Sequence, residues 1–245
     1  MSPDALLVAE GLTKRFGGVT AVADCTFAVP EGSITALVGP NGSGKTTVFN
    51  LLTGYLRADA GTMTFAGRHV RRPDPTRLYR NGLTRTFQQA RVFPHLTLVE
   101  NLVVAVQQSW TSILRRAIGR GERGRALELL EEFGLGHLAT DRAGSLSYGQ
   151  RKLLEFATVL MAEPRLVLLD EPTAGVNPVM LEGIEARIRD LHRRGLTFLV
   201  VEHNMNLVMR LCDPVIVLDH GTKLAEGHPA EIQADARVLD AYLGA

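Results

Sequence analysis

Apolar positions along this chain follow two rhythms. Near-continuous apolar runs occupy residues 34–38, 166–169, 198–201 and 215–218, rich in Val, Leu and Ile. Each is short enough for a parallel strand buried on both faces. Helical spacing marks residues 98–110, 125–133 and 153–161, and on 125–133 it gathers Ala126, Leu129, Leu130 and Phe133 on one face. Pro178 suits a first helical turn, with Asn177 as its cap, and that helix is expected to run to about Arg193 and stop near Gly195. Three more runs, 6–9, 25–29 and 62–66, are separated by turn sites at Glu31-Gly32 and at residues 59–61. They do not alternate with helices, so they predict a small antiparallel sheet beside the main one. Residues 71–75 break the pattern, and a short helix follows.

Composition adds bounds. The 245 residues are 45% hydrophobic and 22% charged, which suits a globular protein with a sizeable interior. The net charge of +1 gives no global electrostatic reason to expect nucleic acid. Cys25 and Cys212 lie far apart without a metal-ligand pattern and read as two free thiols in a reduced compartment; a disulfide stays open. The opening Met1-Ser-Pro-Asp-Ala-Leu-Leu lacks a basic region and a long apolar core, so no signal peptide is expected. No apolar run approaches the roughly 20 residues that span a bilayer, so work on a membrane is expected to go through a partner. The basic, Gly-interrupted residues 115–125 read as a solvated loop, or as a contact for lipid headgroups or an acidic partner.

The candidate chemistry begins at residues 39–46. Gly39, Pro40, Asn41, Gly42, Ser43, Gly44, Lys45 and Thr46 fit G-x-x-x-x-G-K-[ST], between a strand (34–38) and an expected helix (47–52). In that setting the glycines let backbone N–H groups curl around phosphates, Lys45 reaches the outer phosphates and the Thr46 hydroxyl ligates magnesium. Residues 166–171 end an apolar strand in Asp170 and Glu171. Asp170 is placed to hold magnesium through water, and Glu171 to orient or deprotonate an attacking water. Leu146-Ser147-Tyr148-Gly149-Gln150 precedes a helix; Ser147 and Gly149 can offer a hydroxyl and N–H groups to an anion, or simply cap that helix.

Taken in order, these motifs resemble the ATP-binding-cassette ATPases over almost the whole length. Residues 39–46 match the Walker A loop, Gln88 the Q-loop glutamine, and residues 146–150 the family signature, with Tyr148 where glycine is commoner. Asp170 and Glu171 match Walker B and its following glutamate, and His203 the switch histidine. Residues 174–177 take the D-loop, with Asn177 where aspartate is commoner; Phe16 takes the place of the adenine-stacking aromatic, more often tyrosine. The wording of residues 85–93, 174–178, 202–205 and 241–245 is similar to ATPase subunits of branched-chain or hydrophobic amino-acid importers. Lipopolysaccharide-export ATPases are the nearest rival within the family.

The resemblance implies an α/β P-loop NTPase core with a mostly parallel sheet, an antiparallel β subdomain, and a helical signature subdomain at about 92–160 inserted in one 1–245 domain. It implies ATP and Mg2+ as cofactors. Phe16 would hold adenine; residues 39–46 and Thr47 the phosphates; Thr46, Gln88 and Asp170 the metal. Glu171, His203, Lys45 and Gln88 would be the catalytic set. Ser147, Gly149 and Gln150 would meet the γ-phosphate of a second ATPase subunit, the same chain or a related one. Permease subunits would be direct partners, with residues 90–98 a candidate docking surface or ordinary lobe packing. A solute-binding protein would be an indirect partner, and the chain would sit at the cytoplasmic face of the cell membrane. His95 and His220 read as bystanders, and no cluster argues for a transition metal. Two other classes compete: a soluble cassette acting as a clamp on nucleic acid or ribosomes, and a P-loop kinase of small metabolites. The kinase leaves residues 146–150 and His203 unexplained.

Overall fold

The computed structural model describes residues 5–86, 92–106 and 120–243. Among the described residues ten strands form two sheets: β1 (Ala5–Phe16), β2 (Val19–Pro30), β4 (Ala60–Phe65) and β5 (Arg68–Val70) make an antiparallel sheet in the order β2-β1-β4-β5. The other contains β3 (Ile34–Val38), β6 (Leu83–Arg85), β7 (Leu166–Asp170), β8 (Thr197–Val201), β9 (Val215–Asp219) and β10 (Thr222–Gly227), in the order β10-β9-β3-β8-β7-β6. Its five strands from β9 to β6 are parallel, and β10 closes one edge antiparallel to β9.

Burial explains why the four central runs are so poor in polar residues, Thr35 being the exception and itself fully buried. Strands β3, β7 and β8 are buried at every position. Alternate residues serve opposite faces, as the pleat requires. Val167, Leu169, Phe198 and Val200 pack into a helical layer; Leu166, Leu168, Leu199 and Val201 pack against the antiparallel sheet and α1 (Lys45–Leu52). The helical layer holds α3 (Leu98–Val106), α4 (Arg120–Glu132), α5 (Tyr148–Leu160), α6 (Pro178–Arg193) and α7 (Met205–Leu211). Phe133, Phe156 and Phe198 join it to the sheet edge-on, with ring centroids 5.4 and 6.5 Å apart. Ala126, Leu129, Leu130 and Phe133 are buried together, as their spacing implied. No helix among the described residues is long and apolar enough to cross a membrane.

Several local expectations hold. Asn177 caps α6, its Oδ1 accepting from the Met180 N–H at 2.9 Å, and the helix ends at Arg193 before a left-handed Gly195. The short helix after the proline break is α2 (Pro75–Arg80), capped by Asp74. Others need correction. Strands β1 and β2 are twelve residues each, longer than the apolar runs, because they continue past β4 as a two-stranded hairpin of mixed polar and apolar residues, exposed at its tip. The turn expected at 59–61 belongs partly to β4, which starts at Ala60. The basic stretch expected as a loop is helical from Arg120 onward, within α4; its earlier part lies outside the described residues. The chain ends in α8 (Pro229–Ala234) and α9 (Ala236–Leu243).

Candidate active site

Strand order explains why distant motifs meet. β3, β8 and β7 are neighbours and all point the same way. Their C-terminal ends lead into Gly39, Glu202-His203 and Asp170-Glu171, with Leu37 and Asp170 both opposite Val201. In open α/β sheets this is the edge where ligands bind.

The loop after β3 is built for close approach. Gly39 adopts φ +149°, and a Cβ there would fall 2.1 Å from the Leu218 carbonyl oxygen and 2.7 Å from Ser43 Oγ. Gly42, at φ +80°, has open space instead, with nothing within 4 Å of such a Cβ. α1 begins after Gly44 with no side-chain cap and no acidic residue in its first turn. Its first N–H groups therefore remain available to an anion, at the positive end of the helix dipole. Lys45 is buried, its Nζ donating to the Gly39 and Pro40 carbonyls at 2.8 and 2.9 Å and to Ser43 Oγ at 3.4 Å. Burial lowers the Lys45 pKa, and the nearby Glu171 carboxylate works against that shift. An open glycine cradle, an uncapped helix start and a buried cation suit phosphate chemically. Thr46 is exposed and Thr47 half-buried on the same first turn.

Residues 39–43 line a cleft of about 830 Å³, walled also by His203, Asp219, His220 and residues 240–242. Of these walls only His203 was foreseen: Asp219 and residues 240–242 were not singled out for the cleft, and His220, read as a bystander, borders it. Tyr242 sits with its hydroxyl 3.9 Å from Met205 Sδ; burial raises its pKa, opposed by a hydrogen bond from the Gly39 backbone.

Asp170 is buried at the end of β7, where Arg85 on β6 donates to its Oδ2 at 2.6 Å. The same guanidinium reaches Asn50 Oδ1 at 2.6 Å and Thr53 Oγ1 at 3.2 Å on and after α1. One arginine thus ties the acidic strand end to the helix that follows the phosphate loop. Nothing in the motif pattern marked Arg85; only the pairing of β6 with β7 places it there. Glu171 turns sharply out of the strand with φ +48°, while its N–H still donates to the Val201 carbonyl at 2.9 Å. That turn brings Glu171 Oε1 to 3.0 Å from His203 Nε2.

Ser147 caps α5: its Oγ accepts from the Gln150 N–H at 3.3 Å, and Gln150 Oε1 accepts from the Ser147 N–H at 2.9 Å. Both are polar groups of an ordinary capping box. Ser147 is exposed, and Ser147, Gly149 and Gln150 are not among the residues bordering the phosphate-loop cleft of their own chain. A Cβ at Gly149 would meet only the flexible end of Met180, with Sδ at 2.0 Å, and that side chain would have to turn aside. Phe16 is 47% exposed at the end of β1, with Lys14 Nζ 5.6 Å from its ring centroid. Gln88 lies outside the described residues. Of the candidate docking stretch, Phe93 is exposed on a segment fixed by buried Asn101, which accepts from the Phe93 N–H at 2.7 Å and donates to its carbonyl at 3.1 Å.

A parallel sheet carrying a phosphate loop, an acidic strand end and a switch-like histidine on one edge defines a class, and the chain belongs to the ABC transporter family. That family's profile matches residues 22–174, and a second, described as branched-chain amino acid ATP-binding cassette transporter, matches residues 222–245. The chain is similar to the high-affinity branched-chain amino acid transport ATP-binding proteins LivG of Salmonella typhimurium and BraF of Pseudomonas aeruginosa. It is 39% and 40% identical to them over 249 aligned residues, covering 98% of each chain. A solved nucleotide-free ATP-binding cassette from an ABC transporter superposes with a TM-score of 0.88 at 32% identity, covering 98% of this chain and 100% of that one. Another, in an ADP conformation, gives 0.87 at 33% identity, covering 98% and 99%.

Proposed function

We propose that this chain is the ATP-hydrolysing subunit of a membrane importer for branched-chain or other hydrophobic amino acids. The match of residues 222–245 to the branched-chain amino acid transporter profile carries the reading, because it lies outside the cassette profile shared across the family. Export and soluble-clamp readings have no comparable observation behind them.

In this reading Phe16 stacks on adenine. The N–H groups along residues 39–47, which Pro40 alone lacks, and the Lys45 ammonium bind the phosphates, while Thr46, Asp170 and Gln88 would hold magnesium. When bound, magnesium neutralises charge on the phosphates. Glu171 orients the attacking water, and His203 steadies both Glu171 and the terminal phosphate. Phosphoryl transfer needs little more than such positioning and charge neutralisation. Ser147, Gly149 and Gln150 stand apart from their own chain's cleft, which suits a role on a second subunit's nucleotide. Two chains closed head-to-tail then complete two sites, closure being favoured by contacts made only in the closed state. The permease docks near exposed Phe93, and the chain works at the cytoplasmic face of the membrane.

The test is transport. The chain is co-expressed with its permease subunits, reconstituted with Mg-ATP and assayed for uptake of radiolabelled leucine with a solute-binding protein present. ATP-dependent uptake that Lys45→Ala abolishes is expected. ATP turnover without movement of any hydrophobic amino acid overturns the import reading.

A further inference from the structure

The carboxylate of Glu202 is buried between two functional turns and is saturated with donors. Its Oε1 accepts from the Thr173 N–H at 3.0 Å and the Thr173 hydroxyl at 2.6 Å. Its Oε2 accepts from the His203 N–H at 3.1 Å and the Asn204 N–H at 3.4 Å. Glu202 and Thr173 are 4% and 8% exposed, so these four bonds work with little competition from water. One oxygen therefore grips the turn just after Glu171, and the other grips the turn that presents His203. The distance between those turns sets the 3.0 Å contact of Glu171 with His203.

A second tie reaches the same turn from the signature helix. The Tyr148 hydroxyl donates to the Ala174 carbonyl at 3.2 Å, and its ring faces Gly175, where a Cβ would come within 3.2 Å of the ring. Lys152, one turn further along α5, is buried near Glu155, Asp170, Glu171 and Glu202, whose charges oppose the lowering of its pKa by burial. A glycine at position 148 could make neither the hydroxyl bond nor the ring contact.

We propose that Glu202 is a positioning residue for ATP hydrolysis, fastening the Glu171 turn to the His203 turn, and that Tyr148 ties the signature turn to this fastening through Ala174. The inference rests on the ATPase reading above but not on the transported substrate. It makes each chain's signature, which serves the partner's nucleotide, sensitive to the geometry of its own Glu171–His203 pair. Glu202 holds no nucleotide itself; it acts through the two turns.

The substitution Glu202→Gln tests it in the full-length chain. An amide keeps one acceptor oxygen and turns its NH2 group against either Thr173 or the His203 and Asn204 N–H groups. The expected result is a fall in kcat of about tenfold with KM for ATP, and the affinity for a fluorescent ATP analogue, within about twofold of wild type. The His203 imidazole carbon–proton NMR signal is expected to shift in Glu202→Gln and, less, in Tyr148→Phe. Tyr148→Phe keeps the ring and loses only the hydroxyl, so it remains informative even if Glu202→Gln fails to fold; a fall in kcat of about threefold is expected. Wild-type kcat together with an unmoved His203 signal in either folded variant overturns the proposal, as does a loss expressed wholly in KM. A wild-type chain that splits no ATP in its assembled complex would instead strike at the ATPase reading itself.

Discussion

His203 Nε2 lies 3.0 Å from Glu171 Oε1, across two adjacent strand ends and 32 residues of sequence. The contact exists because β7 and β8 pair in parallel and Glu171 leaves its strand in a left-handed conformation. If Glu171 orients the attacking water, Glu171→Gln keeps the size and the contact with His203 but loses the charge and the basicity. Single-turnover hydrolysis is expected to slow by about 10²- to 10⁴-fold, with ATP-bound dimer accumulating on size exclusion. Hydrolysis near the wild-type rate removes Glu171 from that role.

Gly39 and Gly42 differ in what a methyl group would meet. At Gly39 it would overlap the Leu218 carbonyl, which is backbone of β9 and cannot swing aside. Gly39→Ala is expected to cost about 2 kcal/mol or more through strain and displaced backbone. Gly42→Ala meets open space and costs only the left-handed penalty, about 1 kcal/mol. Denaturation midpoints of the two variants should rank in that order, while ATP binding suffers in both.

The Arg85–Asp170 pair is almost fully enclosed, with side chains 7% and 9% exposed. Arg85→Met would leave a buried carboxylate without its guanidinium, a loss on the order of 3–5 kcal/mol. Arg85→Lys keeps a charge but cannot bridge Asp170, Asn50 and Thr53 together, so a smaller loss is expected. Urea unfolding curves decide; equal stability of Arg85→Met and wild type would show the pair to be energetically idle.

Much of this was legible in the sequence. The central strands announced themselves because burial on both faces leaves little room for polar residues, and the phosphate loop because glycine, lysine and threonine spacing carries its own chemistry. The Asn177 cap and the end of α6 followed from local rules alone. Arg85, Glu202 and Tyr242 did not, because each acquires its role from a neighbour across a strand pair or a helix packing contact. The length of β1 and β2 was also hidden: their hairpin ends, Arg15–Phe16 and Val19–Thr20, are exposed, and there backbone pairing rather than apolar content makes the strand.

Cys25 and Cys212 are free and buried, and burial raises their thiol pKa values from the ordinary 9.0 to about 11 and about 12. A thiol whose folded pKa is raised favours the folded state most below its unfolded pKa, where it stays neutral in both states, and loses that contribution as pH climbs through the folded value. Stability is therefore expected to hold through pH 8 and to decline from about pH 9 upward. Thiol reagents should label both cysteines only at the rate of unfolding; rapid labelling of native protein at pH 8 would contradict their burial.

Sequence by itself determined the central strands, the main helices and the phosphate loop, because each depends on residues close together in the chain, and the order of its motifs pointed to the family. Tertiary structure alone decided which charges meet. The order β3-β8-β7 sets Lys45, His203, Glu171 and Asp170 along one edge, and the pairing of β6 with β7 brings Arg85 to Asp170. Hydrogen bonds and ion pairs act over a few ångströms, so partners separated by 85 residues, as Arg85 and Asp170 are, become partners only when strand order is settled.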